Sequence, residues 1–260
     1  MELQEAIIKR RTANTKFADK KVSSEHLELL IRMASCAPSH FNSQPWRFIV
    51  VEDNDTIGRI GKIAGDAMVQ LMEEGTFWKK YEKYFRITKE EIENSRDGIH
   101  IDHMPKVLKP FAKQIMSEKG GKLLAKLKIP KILGKDEEEL VASSPILFVI
   151  LLNKEEYKPG ELSGFYSAIS MGAVIQNLWL TTTDIGMGMQ FVSTPGEIPE
   201  KWNEISDMLD VPDDHEMAAI FRMGYKDEKV KRPTIDWRSD QRKSIENLAF
   251  KDKWGTSFSK

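Results

Sequence analysis

The chain has 260 residues, 30% of them charged and 40% hydrophobic, with a formal net charge of −1. That length and balance suit a globular chain able to bury a large core and exclude a disordered one, and the near-neutral charge excludes a global attraction to nucleic acid or acidic lipid. The single cysteine, Cys36, excludes an intrachain disulfide, and the longest apolar run, ILFVILL at 146–152, is far too short to span a bilayer, so a cytoplasmic protein is expected.

Residues 2–10 open the chain as a short helix. Leu3, Ala6 and Ile7 give it an apolar side, and basic residues lie at its end, where the helix dipole favours them. The loop RTANTKFADKKV follows. Ser23 or Ser24 can then cap a second helix, with Glu25 in its first turn and Leu27, Leu30, Ile31 and Ala34 on one face. Cys36 lies near the end of that face and is expected to be a small buried hydrophobe. Next comes APSHFNSQPWRF, residues 37–48, a loop too densely furnished for a plain connector. Pro38 and Pro45 stiffen it, because each fixes its own φ and restricts the residue before it. Ser39, His40, Asn42, Ser43 and Gln44 crowd it with donors and acceptors. Trp46, at the mouth of the strand RFIVVED, is expected to anchor the loop to the core.

Residues 54–74 read as a helix, with Ile57, Ile60, Ala64, Met68 and Leu71 spaced for one face. Residues 75–140 differ in character. They hold the aromatics Phe77, Trp78, Tyr81, Tyr84 and Phe85, then RDGIHIDHMP, then a lysine-rich stretch, and read as a helical insertion. The aromatics would either cover a site as a lid or form helix core. SSPILFVILLN is a strand buried on both faces. SGFYSAISMGAVIQNLWLTTTDIG reads as a long buried helix ended by Gly186, EIPEKWNEISDML as another helix, and EMAAIFRMGY as another strand. The tail, 226–260, is polar and irregular. Helices with a few well-separated strands predict an α+β fold, a single domain over 1–260 with a helix-covered sheet and an insertion at about 75–140.

Several chemistries lack their residues. The five histidines form no His-Glu-x-x-His pair, and Asp97, His100, Asp102 and His103 are better read as a solvated loop than as a metal site. No metal is expected. The GMG at 186–188 follows a helix and lacks a third glycine, and neither a Walker sequence nor a Gly-x-Ser-x-Gly elbow occurs. Lys119, Lys122, Lys126, Lys128 and Lys131, interleaved with leucines, could lie on a polyanion, though a solvated helix is the simpler reading. Two basic spots match a terminal phosphate better: KRRT at 9–12, with Arg10 and Arg11 beside Thr12, and WRSDQRKSIENL, with Arg238 and Arg242.

IIKRRT, then VSSEHLELLIRMASCAPSHFNSQPWRFIVV, GAVIQNLWLTTTDIGMG, FRMGY and RKSIENLAFKDKW occur in one order that resembles the FMN-dependent nitroreductase family. The resemblance covers most of the chain outside 75–140, and its Ala-Pro-Ser-x-x-Asn-x-Gln-Pro-Trp core is the most specific part. It implies a mostly antiparallel, helix-covered sheet in an intertwined homodimer, with FMN at the subunit interface. It implies NADH or NADPH as electron donor and nitroaromatics, quinones or related small molecules as acceptors. Other flavin chemistry of the family, such as reductive dehalogenation, is an alternative, as is a non-catalytic flavin-binding protein. By position, Arg10, Arg11 and Thr12 would hold the FMN phosphate and ribityl chain, with Asn14 where the family usually has a basic residue. Arg242 would close on the phosphate. Pro38, Ser39, His40 and Asn42 would meet the flavin from the partner subunit, with Gln44 contributing or bracing, and the backbone of Val192 and Ser193 would face flavin N5. No side chain is expected to be catalytic, because the redox step belongs to the cofactor.

Overall fold

The computed structural model describes residues 1–104, 106, 109–115, 117, 120, 128–227, 229 and 236–258, the side chains of 102, 115 and 236 aside. The chain divides into two compact units. The first comprises 1–69 and 131–231, the second 70–130 and 232–260.

The first unit is built on a four-stranded antiparallel sheet. Its order is β1 (Trp46–Val51), β4 (Ile146–Asn153), β6 (His215–Tyr225) and β5 (Met187–Phe191). Side chains of a strand alternate between faces, so the unbroken apolar run of β4 feeds two cores at once. Ile146, Phe148, Ile150 and Leu152 pack on one side with Leu30 and Ala34 of α2 (Ser24–Ser35) and with Val174 and Leu178 of a long helix (Leu162–Asp184). Leu147, Val149 and Leu151 pack on the other with Ile57, Ile60, Ile63 and Ala64 of α3 (Asn54–Glu73), and with Val141 and Ile205 of two further helices, Ile129–Ala142 and Pro199–Met208. The result is a sheet covered by helices on both faces. Of the two serines the sequence offers, Ser23 caps α2, accepting from the His26 N–H. Gly186, with φ of 73°, follows the end of the long helix.

Three local expectations change. Cys36 is exposed, because it stands two residues past the buried Ala34 and so points round the helix from the apolar face. The helix Leu162–Asp184 is not wholly buried: Leu162, Phe165 and Ile169 are 65%, 60% and 55% exposed along one stripe. In α1 (Leu3–Lys9) only Ala6 is buried, while Leu3, Ile7 and Ile8 are exposed.

The second unit is not purely helical. A small sheet joins β2 (Phe85–Arg86), β3 (Ile99–His103) and β7 (Asp236–Arg238), so the histidine-bearing stretch is a strand and not a solvated loop. Helices α4 (Thr76–Tyr81), α5 (Lys89–Ser95) and α6 (Ala112–Ile115) accompany it, α5 opened by a capping box between Thr88 and Glu91. Trp78 is 2% exposed and clusters with Phe77, Phe85 and, through Phe85, Trp237. Trp78 and Phe85 therefore serve as the packed centre of this unit. Residues 131–140, expected within the insertion, belong to the helix Ile129–Ala142 of the first unit. Most of the lysine-rich stretch, Lys119, Lys122 and Lys126 included, lies outside the described residues. Among the described residues no helix is long and apolar enough to cross a membrane.

Candidate functional site

The segment carrying Arg10, Arg11 and Thr12 has no regular structure over residues 10–14. What holds it lies beneath. Ala13 N–H donates to the Met189 carbonyl at 3.1 Å, and Ala18 N–H to the Tyr225 carbonyl at 2.9 Å. Gly188 and Gly224 are direct partners across β5 and β6. A Cβ on Gly188 would stand 2.9 Å from the Ala13 Cβ, and one on Gly224 would stand 2.7 Å from the Phe17 Cβ. The two glycines thus leave a bare patch of sheet onto which residues 13–17 fit. That is the physical content of the motifs GMG and FRMGY.

One charged side chain completes this seat. Arg222 in β6 is 1% exposed. Its Nη2 donates to the Ala13 carbonyl at 2.6 Å and the Thr15 carbonyl at 2.9 Å, its Nη1 to the Leu140 carbonyl at 3.3 Å, and its Nε to Gln190 Oε1 at 2.6 Å. The guanidinium also lies over the Phe17 ring, 4.6 Å from its centroid. Burial lowers its pKa to about 10, opposed by the charge of Glu137, whose own pKa burial raises. The signal for Arg222 in the sequence is a lone cation inside the apolar strand EMAAIFRMGY.

The seated segment presents cations. Arg11 is exposed, with Nη1 on the Ile8 and Arg10 carbonyls at 2.6 and 2.7 Å. Arg10 is half-buried over the Trp179 ring, 5.0 Å from its centroid. Thr12 is exposed and Asn14 half-buried. Lys226, just past β6, was not foreseen. Burial lowers its pKa, and the charge of Arg11 lowers it further. Like charges brought together from two segments are costly unless an anion joins them. The donor set, two guanidinium forks, an ammonium and a hydroxyl, fits a phosphate.

The loop after α2 is held at its C-terminal end. Pro45 carbonyl accepts from Asn153 N–H at 2.8 Å, and Trp46 is 4% exposed, anchoring the loop as expected. Inside it, Ser39 Oγ accepts from Gln44 N–H at 3.0 Å, and Gln44 Nε2 donates to Asn42 Oδ1 at 3.3 Å. Phe41, Asn42 and Gln44 have φ of 47°, 58° and 46°, three left-handed residues without a glycine. Such conformations persist only where surroundings over-determine them, and they gather at functional sites. The His40 ring stacks on Tyr166 at 4.2 Å. Pro38 and Phe41 are exposed, Phe41 by 93%.

The remaining expected residues divide. Val192 N–H donates to the Ile220 carbonyl at 2.8 Å, so the strand ladder has claimed the donor expected to face N5; Ser193, exposed, is left as the donor of that pair. Arg242 belongs to the second unit and is exposed, with Nη1 on the Ser239 and Gln241 carbonyls. Its neighbours are tied down there, Lys243 to Asp97 at 3.1 Å and Gln241 to His100 at 2.9 Å. Asp97 is further engaged by Arg86, so two members of the tentative metal cluster already have partners, and among the described residues no group of metal-ligating side chains forms.

Within one chain the two loops of the first unit do not converge. Arg10 sits on Trp179 and His40 on Tyr166, near opposite ends of one helix. Thirteen residues of helix separate those rings, about 20 Å at 1.5 Å per residue.

Comparison with known proteins gives these sites a context. The model of the Nitroreductase family matches residues 7–225. An iodotyrosine deiodinase of Thermotoga neapolitana is 24% identical over 234 residues, covering 90% of this chain and 94% of that protein. Among solved structures, a BluB-like flavoprotein from Clostridium difficile 630 superposes with a TM-score of 0.58 at 19% identity, over 97% of this chain and all of that one. A nitroreductase with bound FMN from Bacteroides fragilis gives 0.53 at 15% identity, over 88% and 90%. These likenesses extend to the fold.

Proposed function

Because the chain belongs to the nitroreductase family, we propose that it binds FMN and acts as an oxidoreductase, passing electrons from NADH or NADPH to a small organic acceptor such as a nitroaromatic or a quinone. The observation that carries this reading is the cation-presenting segment 10–12, seated on a glycine-floored patch of sheet and crowded by Lys226.

Arg10, Arg11 and Lys226 would hold the phosphate and Thr12 the ribityl chain. Ser39, Asn42 and Gln44 would supply donors and acceptors to the polar edge of the ring system. A backbone donor at Ser193 would stabilise charge on the reduced ring. Bound FMN supplies the two-electron relay from nicotinamide to acceptor, so no side chain is assigned as catalytic.

A homodimer is the assembly this reading favours. Loops about 20 Å apart along one helix would meet one FMN more readily if a second copy brought its own loop alongside. The bare stripe of Leu162, Phe165 and Ile169, with Leu3, Ile7 and Ile8 of α1, supplies an apolar face for that partner.

A second reading, reductive dehalogenation of a halogenated aromatic, is favoured by the likeness to iodotyrosine deiodinase along nearly the whole chain. One experiment separates the outcomes. The purified protein should be yellow and should bleach with NADH or NADPH under anaerobic conditions; the bleached form is then offered nitroaromatics, quinones and 3-iodotyrosine. A colourless protein that cannot be loaded with FMN would sink both readings.

A further inference from the structure

Arg222 touches no solvent, yet it carries a charge in a strand whose neighbours Phe221 and Met223 are core. Burying a guanidinium is expensive, and a well-packed apolar side chain would fill the same volume at less cost. A fold alone therefore does not require it. Its bonds indicate what it secures. Two of the four go to carbonyls of the 10–17 segment, Ala13 and Thr15, and the aromatic ring beneath it, Phe17, belongs to that segment too. The other two tie the same guanidinium to Leu140 of the neighbouring helix and to Gln190, its partner across β5. One planar fork thus fastens an irregular segment to two regular elements.

Its geometry suits that work. Gln190, Arg222, Gly188 and Gly224 alternate onto one face of the sheet, the face on which residues 13–17 lie. The glycines admit the segment, and Arg222 binds its carbonyls. With those carbonyls turned inward, Arg11 and Thr12, immediately before Ala13, are left exposed. We propose that Arg222 is a positioning residue for phosphate binding: together with the Gly188–Gly224 floor it fixes the 10–17 segment so that the cations at its start stand preset for the FMN phosphate, without touching the cofactor itself. This rests on the reading that Arg10 and Arg11 hold that phosphate.

The test uses FMN and riboflavin, which differ by the phosphate alone. Each is titrated into flavin-free protein and followed by flavin fluorescence. Arg222→Met keeps the stem and removes the fork. FMN affinity should fall about tenfold or more, the range expected when a charge-assisted hydrogen bond no longer holds its partner, while riboflavin affinity stays within about threefold. Gly188→Ala disturbs the same segment by size, most tightly at the Ala13 Cβ, 2.9 Å away, with the flexible Lys226 stem and the Phe17 ring at 3.2 and 3.3 Å. It should show the same phosphate-selective loss, and Gly188→Ala combined with Ala13→Gly should restore FMN affinity. The Gly188 pair keeps the proposal testable if Arg222→Met does not fold. Equal losses for FMN and riboflavin, or no restoration in the double variant, would overturn it. Arg11→Ala serves as the reference. If Arg11→Ala leaves the FMN-to-riboflavin ratio unchanged, the phosphate reading itself is wrong; if Arg11→Ala lowers that ratio and the Arg222 and Gly188 variants do not, only the positioning role is lost.

Discussion

The imidazole of His40 lies flat on the ring of Tyr166, with centroids 4.2 Å apart and planes within 9°. One face of the imidazole is therefore spoken for within the chain, and the loop around Phe41, Asn42 and Gln44 is braced from the long helix. An aromatic pair of this kind contributes about 0.5–1.5 kcal/mol. Tyr166→Leu should therefore loosen the loop more than the fold. Flavin affinity should drop by up to about tenfold, and the melting temperature by no more than about 2–4 °C. Fluorescence titration and a thermal melt on the same sample would check both, and a large melt shift would mean that Tyr166 serves the core instead.

The bare stripe on the helix Leu162–Asp184 gives a test of assembly. Ile169 is 55% exposed, so a charge there has little core to disrupt in the single chain. In an apolar interface the same charge would be buried without a partner, a cost of several kcal/mol. Ile169→Glu should yield a monomer by light scattering and a lower ratio of bound flavin to protein. An unchanged dimer would place the interface elsewhere.

Two opposing effects meet at Gly65 in α3. Alanine is better in a helix by about 1 kcal/mol. A Cβ there, however, would stand 2.6 Å from the Gly134 carbonyl oxygen and 2.9 Å from the Glu138 Cβ, where α3 crosses the helix Ile129–Ala142. Overpacking against backbone costs about 1–3 kcal/mol, so Gly65→Ala should destabilise, as read by the urea midpoint. A stabilised variant would show that the two helices can separate.

Asp97 sets an acid limit for the second unit. Hydrogen bonds from Arg86, then Lys243, hold its carboxyl below the ordinary 3.8. The folded form thus stays deprotonated where the unfolded chain would take up a proton. This contribution is full above about pH 4 and is lost as pH falls through the lowered folded value. Emission from Trp78 and Trp237 should report opening on acidification, and Asp97→Asn should flatten that response. An unaltered acid profile would assign the transition to other carboxylates.

Lys226 predicts a pH dependence of binding with the opposite lever. Burial and the charge of Arg11 lower its pKa, and an arriving phosphate should raise it again. Affinity for FMN should then decline as pH rises through the lowered value of the free protein, because the ammonium is lost first where no anion holds it. Lys226→Met should weaken binding at neutral pH and remove that decline. A decline that persists in the variant would implicate another group.

Much of this was legible in the sequence, and the failures have physical reasons. The run ILFVILL announced a strand with two buried faces, the pair Ser23 and Ser24 a cap, Gly186 a helix end, and residues 37–48 a furnished loop anchored by Trp46. Those features are local, set by period, turn chemistry and propensity. Arg222 and Lys226 were passed over because their meaning depends on which backbone lies opposite, and that is settled only when the N-terminal segment reaches the sheet. The Val192 N–H is paired with the Ile220 carbonyl, a pairing that side-chain pattern does not reveal, so of the Val192–Ser193 pair the Ser193 donor is the one to follow. The long helix reads as buried because it is apolar on most sides, and composition alone does not distinguish a core face from an exposed apolar stripe. The strand 99–103 was masked by its histidines and aspartates, residues that ordinarily mark loops.

The seat of the N-terminal segment has one more consequence. β5 is an outer strand, and an outer strand offers unpaired amides and carbonyls to any extended chain that drifts past. The Ala13 N–H occupies the Met189 carbonyl on that strand, and Gly188 beside it is roofed by Ala13 itself. The segment that carries the cations therefore also covers part of this edge, through Ala13. A chain clipped before residue 18 would expose a sticky border, and its first symptom would be aggregation.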